Sequence, residues 1–155
     1  MEQCYIQSII QNYEENLRRV KHDGCALQYV EEQTQELCLE AVKNNGWTLK
    51  FVKEQTPEIC WEAVKQYGGA IYYVKEQTPE LCLESVKQNR WALEYVKKQT
   101  YEICLEAVKQ NGYALEYVKE QTPELCWEAV KKNGRALDYV EDPLLQKKIK
   151  LELNL

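Results

Sequence analysis

Apolar and polar positions along the chain follow a pattern that returns every 22 residues. The marker Glu32-Gln33-Thr34 comes back as Glu54-Gln55-Thr56, Glu76-Gln77-Thr78, Lys98-Gln99-Thr100 and Glu120-Gln121-Thr122. After each marker the apolar residues fall at helical intervals. In the copy that begins at Lys98, Cys104, Ala107, Val108 and Asn111 share one side of a helix, spaced i, i+3, i+4, i+7. A second short cluster follows, Ala114, Leu115 and Val118, with Tyr117 on its flank. The unit reads Glu-Gln-Thr-Pro-Glu-Leu-Cys-Leu-Glu-Ala-Val-Lys-Gln-Asn-Gly-x-Ala-Leu-x-Tyr-Val-Lys. Clear copies occupy residues 32–53, 54–75, 76–97, 98–119 and 120–141. A worn copy occupies 10–31 and keeps Leu17, Val20, Lys21, Gly24, Ala26, Leu27, Tyr29 and Val30. Repetition at a fixed period marks a repeat architecture and takes precedence over any local reading.

The punctuation inside a copy predicts a helical hairpin. Thr56, Thr78 and Thr122 suit an N-cap, where a hydroxyl accepts from an otherwise unpaired amide of the first turn. Pro57, Pro79 and Pro123 follow at the first helical position, where a missing N–H costs nothing. Glu58, Glu80 and Glu124 then complement the positive end of the helix dipole. The first helix is expected to stop at Asn45-Gly46, Asn111-Gly112 and Asn133-Gly134, a C-terminal glycine signal. The second helix is expected to run from Trp47 to about Lys53, and equivalently in each copy. Pieces of two to three turns are too short to stand alone in water, so stacking of neighbouring copies must hold them.

These readings add up to an all-α fold, an α-solenoid of about six tandem helix-turn-helix hairpins with terminal capping helices. The whole chain, 1–155, is read as a single repeat domain, with 1–9 as an N-terminal cap and 142–155 as a C-terminal cap. Residues 2–21 are expected to form one longer first helix. Leu144 to Leu153, after Asp142-Pro143, are expected to form a capping helix, with a short strand or tail at Leu151-Glu152-Leu153 as the alternative. The handedness of the stack is left open.

Charge and composition then narrow the function. The chain carries net charge −5 and 29% charged residues, so it lacks the basic stripe of a protein that neutralises many phosphates. No apolar run approaches the ~20 residues needed to cross a bilayer, and no membrane role is expected. Met1-Glu2-Gln3-Cys4 has no basic n-region followed by an apolar h-region, and the expected compartment is the cytoplasm.

The stretch from Ile103 to Lys119, Ile-Cys-Leu-Glu-Ala-Val-Lys-Gln-Asn-Gly-Tyr-Ala-Leu-Glu-Tyr-Val-Lys, resembles a repeat domain of unknown function that is abundant in giant DNA viruses of amoebae. The resemblance runs from about residue 10 to 141. It implies the repeat and brings no catalytic residue or cofactor with it; if the chain is viral, its cytoplasm is the host's. Three positions depart from the pattern: Tyr67 replaces Asn, Gly69 fills a variable position, and Arg90 replaces Gly. Arg90 makes the turn of its copy costly if that turn requires φ > 0.

Several residues invite a chemical reading. Cys38, Cys60, Cys82, Cys104 and Cys126 occupy one repeat position and should form a file of small buried residues. Equivalent positions in stacked hairpins lie beyond the ~7 Å that a disulfide spans, and one file cannot converge four ligands on a zinc ion. Cys4 and Cys25 lie off the file and are expected to be exposed thiols. His22, the one histidine, sits three residues from Cys25, but a solvated turn residue is the commoner case. Glu40–Lys43, Glu62–Lys65, Glu84–Lys87, Glu106–Lys109 and Glu128–Lys131 read as surface ion pairs at i, i+3. Lys53, Lys75, Lys97 and Lys119 form a second file, read as part of the same solvated, ion-paired face. No enzymatic activity, cofactor or metal is expected.

The positions that vary on this fixed frame carry the functional reading. With the first marker residue as position 1, position 8 holds Leu39, Trp61, Leu83, Leu105 and Trp127. Position 16 holds Cys25, Trp47, Gly69, Trp91, Tyr113 and Arg135, and position 19 holds Gln28, Lys50, Tyr72, Glu94, Glu116 and Asp138. Aromatic residues at position 16 are expected to stack four residues on, as Trp47–Phe51, Trp91–Tyr95 and Tyr113–Tyr117. Trp, Tyr and Arg are common interface anchors, so Trp47, Lys50, Trp61, Tyr72, Trp91, Glu94, Tyr113, Glu116, Trp127 and Arg135 form the candidate partner-binding set. The expected function is a non-catalytic scaffold for protein–protein interaction. The alternatives are a structural repeat element that self-associates without a discrete ligand and, against its charge, a nucleic-acid binder.

Overall fold

The computed structural model describes residues 2–155, except the side chains of Glu2 and Cys4. The expectation of an exposed thiol at Cys4 therefore lies outside the described residues. The chain is 75% helical, with no strand among the described residues, and its helical pieces repeat about every 11 residues. It is an all-α repeat fold, as the periodicity predicts.

Each copy supplies an α-helix and a shorter second piece. The α-helices are α1 (Glu2–His22), α2 (Gln35–Asn44), α3 (Pro57–Gln66), α4 (Pro79–Gln88), α6 (Tyr101–Gln110) and α7 (Pro123–Lys132). The second pieces are the 3₁₀ helices η1 (Gly24–Tyr29), η2 (Gly46–Phe51), η3 (Gly68–Tyr73), η4 (Gly112–Tyr117) and η5 (Gly134–Tyr139), with the four-residue α5 (Ala92–Tyr95) in the copy that carries Arg90. Helix α8 (Pro143–Leu153) follows the last copy in place of the alternative strand, and α1 is one continuous helix.

Two compact units result, Met1–Lys75 and Glu76–Leu155. In the first, α1, α2 and α3 lie side by side, and η1 and η2 each rest between two of them in a second layer that also holds η3. In the second, α4, α6 and α7 form the helical layer; α5, η4 and η5 form the other, with α8 against α7 and η5. The core lies between the layers. Its repeated members are Ile103, Cys104, Ala107 and Val108 from the α-helix and Ala114, Leu115 and Val118 from the second piece, all buried.

The caps work as the sequence predicts. Thr56 Oγ1 accepts the Ile59 N–H at 3.3 Å, and Thr34, Thr78, Thr100 and Thr122 cap their helices in the same way. The expected α-helical second piece is instead 3₁₀ in five copies. The Asn45 side chain accepts the Trp47 N–H at 3.0 Å at one end, and Val52, in extended backbone, donates to Leu49 O at 3.1 Å at the other. η1 and η4 are held in the same way, by Asp23 and Asn111 at one end and Val30 and Val118 at the other, while η3 and η5 keep the valine stop without a side-chain cap.

The glycine that opens the second piece has, in three copies, another reason than the one expected. No glycine among the described residues has positive φ; the one left-handed residue is Asn154, at φ 52°. The demand is close approach. A Cβ on Gly24, Gly46 or Gly112 would stand 2.6, 2.4 or 2.2 Å from the carbonyl oxygen of Ala41, Ala63 or Ala129 in the next copy. In the copy that carries Arg90 at this position the 3₁₀ helix gives way to the four-residue α5.

Candidate partner-binding face

The second layer presents position 19 outward, and position 16 where it holds Trp47, Trp91 or Arg135, because their neighbours face in. In η2, Thr48, Leu49 and Val52 are buried while Trp47 and Lys50 are exposed. With three residues per turn, positions 16 and 19 lie on one side of a 3₁₀ helix. The Lys50 Nζ accordingly sits 5.4 Å from the Trp47 ring centre and 4.6 Å from that of Phe51. Trp91 and Glu94 are exposed, as are Glu116, Arg135 and Asp138, whereas Tyr113 is half-buried.

In the 3₁₀ copies the same winding overturns the expected stacking of Trp47 on Phe51 and of Tyr113 on Tyr117, since residues four apart diverge by about a third of a turn. The rings meet across copies instead. Trp47 stacks on Tyr67 at 6.1 Å and meets Tyr73 at 5.4 Å, and Tyr113 meets Tyr139 edge-on at 6.3 Å. Tyr72, well exposed, sets its edge on Tyr73 at 4.9 Å. In the Arg90 copy, the guanidinium lies 3.9 Å from the centre of the Trp91 ring.

In the second unit these residues wall a groove of about 220 Å³. Trp91, Tyr113, Tyr117 and Tyr139 supply its rings, and Arg90 and Glu116 its charges. Burial pushes the Tyr117 hydroxyl above its ordinary pKa, and the nearby charges of Glu116 and Glu94 raise it further. In the first unit Tyr73 is raised by burial and by its neighbours Tyr72 and Tyr67. Position 8 lies elsewhere: exposed Trp61 and half-buried Trp127 stand on α3 and α7, and Trp127 is not among the walls of the groove. Lys131 Nζ lies 6.0 Å from its ring.

The fixed glutamine of the marker, unassigned by sequence reasoning, is a structural clamp. Gln99 Nε2 donates to Tyr117 O at 2.9 Å and Leu93 O at 3.1 Å, while its Oε1 accepts the Lys119 N–H at 3.0 Å. Gln33 and Gln121 make the same three backbone bonds, and Gln55 and Gln77 make the pair to the end of their own copy. The cysteine file lies against these amides. Cys38, Cys60, Cys82, Cys104 and Cys126 are buried, each with its thiol 3.5 to 3.8 Å from a glutamine Oε1. Burial raises all five thiol pKa values, that of Cys126 to about 11. Cys25 is half-buried rather than exposed. His22 lines a groove with Arg18, Arg19, Asp23, Ala26 and Tyr29, without Cys25. No group of three or more metal-ligating side chains occurs among the described residues.

Three lysines of the second file reach backbone carbonyls. Lys53 Nζ donates to the carbonyls of Val30 and Glu31, Lys75 Nζ to that of Lys53, and Lys119 Nζ to those of Val96 and Lys97. In the first file, Lys43–Glu40 and Lys131–Glu128 approach to 3.9 and 3.8 Å, while Glu84 and Glu106 accept from Gln88 and Gln110.

This repeat, with its marker, glutamine clamp and glycine contact, matches the family model described as domain of unknown function DUF4116 over residues 12–56, 34–78, 56–100, 78–122 and 100–146. The chain belongs to this family. Each match spans two copies, and successive matches step by 22 residues. Among curated proteins and solved structures, none matches this DUF4116 chain. No helix among the described residues is long and apolar enough to cross a membrane.

Proposed function

We propose that this DUF4116 chain is a non-catalytic scaffold that holds a partner protein on the outward face of its 3₁₀ layer. The observation that carries the reading is the division within η2 and η4. Gly46, Thr48 and Leu49 of η2 and Gly112, Ala114 and Leu115 of η4 are buried, while at the variable positions 16 and 19 Trp47, Lys50 and Glu116 are exposed and Tyr113 is half-buried. Such a face can change its specificity without disturbing the core. Aromatic anchors beside charges are the composition of interface hot spots. The five cysteines of the file, buried with raised thiol pKa, are poor nucleophiles, and we place the chain in a reducing cytoplasm, the host's if the chain is viral.

The test is capture from a lysate by the wild type and by the Trp47→Ala/Trp91→Ala/Tyr113→Ala variant, compared by mass spectrometry. The scaffold reading expects a partner enriched by the wild type and lost by the variant, with the variant still melting cooperatively. Equal capture overturns it.

A self-associating structural element is supported by a separate observation. Helix α1 leaves Tyr5, Ile6, Ile9 and Ile10 exposed, at 69, 53, 49 and 44% of their full surface. Light scattering of the wild type against Ile6→Glu/Ile9→Glu tests it: a mass that rises with concentration in the wild type alone supports it, and two monomers exclude it. The nucleic-acid alternative loses weight because Lys53, Lys75 and Lys119 are committed to backbone carbonyls.

A further inference from the structure

We propose that the 3₁₀ face of the second unit recognises a basic, extended segment of a partner protein, its Lys or Arg side chains entering the aromatic groove at Tyr113 and Tyr139 beside Glu94 and Glu116. The inference rests on the reading of positions 16 and 19 as a partner-binding face and gives that partner a chemistry.

Three observations support it. The first is the charge series at position 19. In the first unit it reads Gln28, Lys50 and Tyr72; in the second it reads Glu94, Glu116 and Asp138, all exposed. Glu116 is a wall of the groove, and it and Glu94 add to the burial that raises the hydroxyl pKa of Tyr117, another of its walls. Arg135, the basic residue of the last copy, is exposed and is not among the groove's walls.

The second is the shape and lining of the groove. Four aromatic side chains, with Arg90, Asn111, Ala114 and Glu116, line an open groove of about 220 Å³. This is below the ~300–1,000 Å³ of small-molecule sites and suits one or two side chains of a larger partner. Rings attract a cation over their faces through their quadrupole, and a neighbouring carboxylate adds a Coulomb term.

The third is that the chain's own cations already occupy rings of this layer. Arg90 covers Trp91, and Lys50 lies by Trp47 and Phe51. These contacts are local models of the proposed one. Arg90, the one cation lining the groove, already lies over Trp91, while the carboxylates of Glu116 and Glu94 act on Tyr117.

Fluorescence anisotropy with labelled short peptides tests the proposal: alternating Lys-Ser, alternating Arg-Ser, and a Glu-Ser control. Saturable binding of the basic peptides is expected, weakened by added salt and about tenfold or more in Glu94→Gln/Glu116→Gln/Asp138→Asn, since each exposed charge contributes modestly. Tyr113→Ala/Tyr139→Ala should weaken the Arg peptide as well, with helix content checked by circular dichroism. No binding of either basic peptide up to about 1 mM, or equal binding to the neutralised variant, overturns the proposal. Lysate capture separates it from the broader reading. Capture kept by the neutralised variant but lost by Trp47→Ala/Trp91→Ala/Tyr113→Ala rejects a basic partner and leaves the scaffold. Capture unaffected by either variant rejects the scaffold.

Discussion

The Tyr67 ring lies over Gly69: a Cβ at residue 69 would stand 2.4 Å from Tyr67 Cε1. Tyr67 fills the position from which Asn45 and Asn111 cap their 3₁₀ helices, and it makes no side-chain capping bond. Its ring occupies the space of a position-16 side chain and stacks on Trp47 of the preceding copy. The two departures from the repeat are therefore coupled. Gly69→Ala must push the ring off its stack, which should cost about 1–2 kcal/mol, the scale of an aromatic pair and its packing. In a Tyr67→Asn background the same substitution should cost little. Urea denaturation of the four proteins of this cycle measures the coupling, expected at about 1 kcal/mol; additive effects would show that the residues act separately.

Gly112 and Gly134 occupy the same repeat position with different neighbours. At Gly112 a Cβ would meet backbone, the Ala129 carbonyl oxygen at 2.2 Å, which cannot move without shifting α7. At Gly134 it would meet only the end of the Leu155 side chain, at 3.3 Å. Gly112→Ala should destabilise by about 2–4 kcal/mol, as overpacking against rigid backbone does. Gly134→Ala should fall within about 0.5 kcal/mol of the wild type. Thermal melts of the two variants make the comparison, and equal losses would point to backbone entropy rather than contact.

The repeat period, the threonine caps, the proline starts and the buried file Cys104, Ala107 and Val108 were all legible in the sequence, because each depends on neighbours within one turn or two. What escaped depends on partners about 20 residues away. Gln99 looks like any polar residue until Lys119 and Tyr117 are placed beside it. Gly46 suggests a left-handed turn until Ala63 O is seen to press on it. In the candidate site, the outward set Trp47, Lys50, Trp91 and Glu94 was readable from variation on a constant frame. Its pairing was not, since i, i+4 stacking presumed an α-helix where six residues wind as 3₁₀.

Removal of the Gln99 side chain isolates the clamp. Gln99→Leu keeps most of the volume but leaves the Lys119 N–H and the Tyr117 carbonyl without the Gln99 amide, while the Leu93 carbonyl keeps the Val96 N–H. Solvent can reach Lys119, so part of the loss is recovered by water, and the expected cost is about 2 kcal/mol. Hydrogen exchange should report the loss locally, with protection falling at Lys119 first. Unchanged exchange at that amide would mean that the clamp is dispensable.

The cysteine file makes stability depend on alkaline pH. In the unfolded chain a thiol ionises near pH 8.5; in the fold, burial raises all five, and Cys126, which also feels Glu141 and Asp142, is pushed to about 11. A raised folded-state value means that the folded protein holds its protons longer than the unfolded chain. The stabilisation is thus fully present below about pH 8.5 and is lost as pH rises through the folded values. The denaturant midpoint should therefore be flat from pH 6 to about 8 and fall steadily towards pH 11. Cys126→Ala should start from a lower midpoint, because it leaves a small cavity, and should decline less steeply. A parallel decline in the two proteins would assign the alkaline loss to other groups. The same burial predicts the order of labelling by a thiol reagent at pH 8, with half-buried Cys25 reacting ahead of the five.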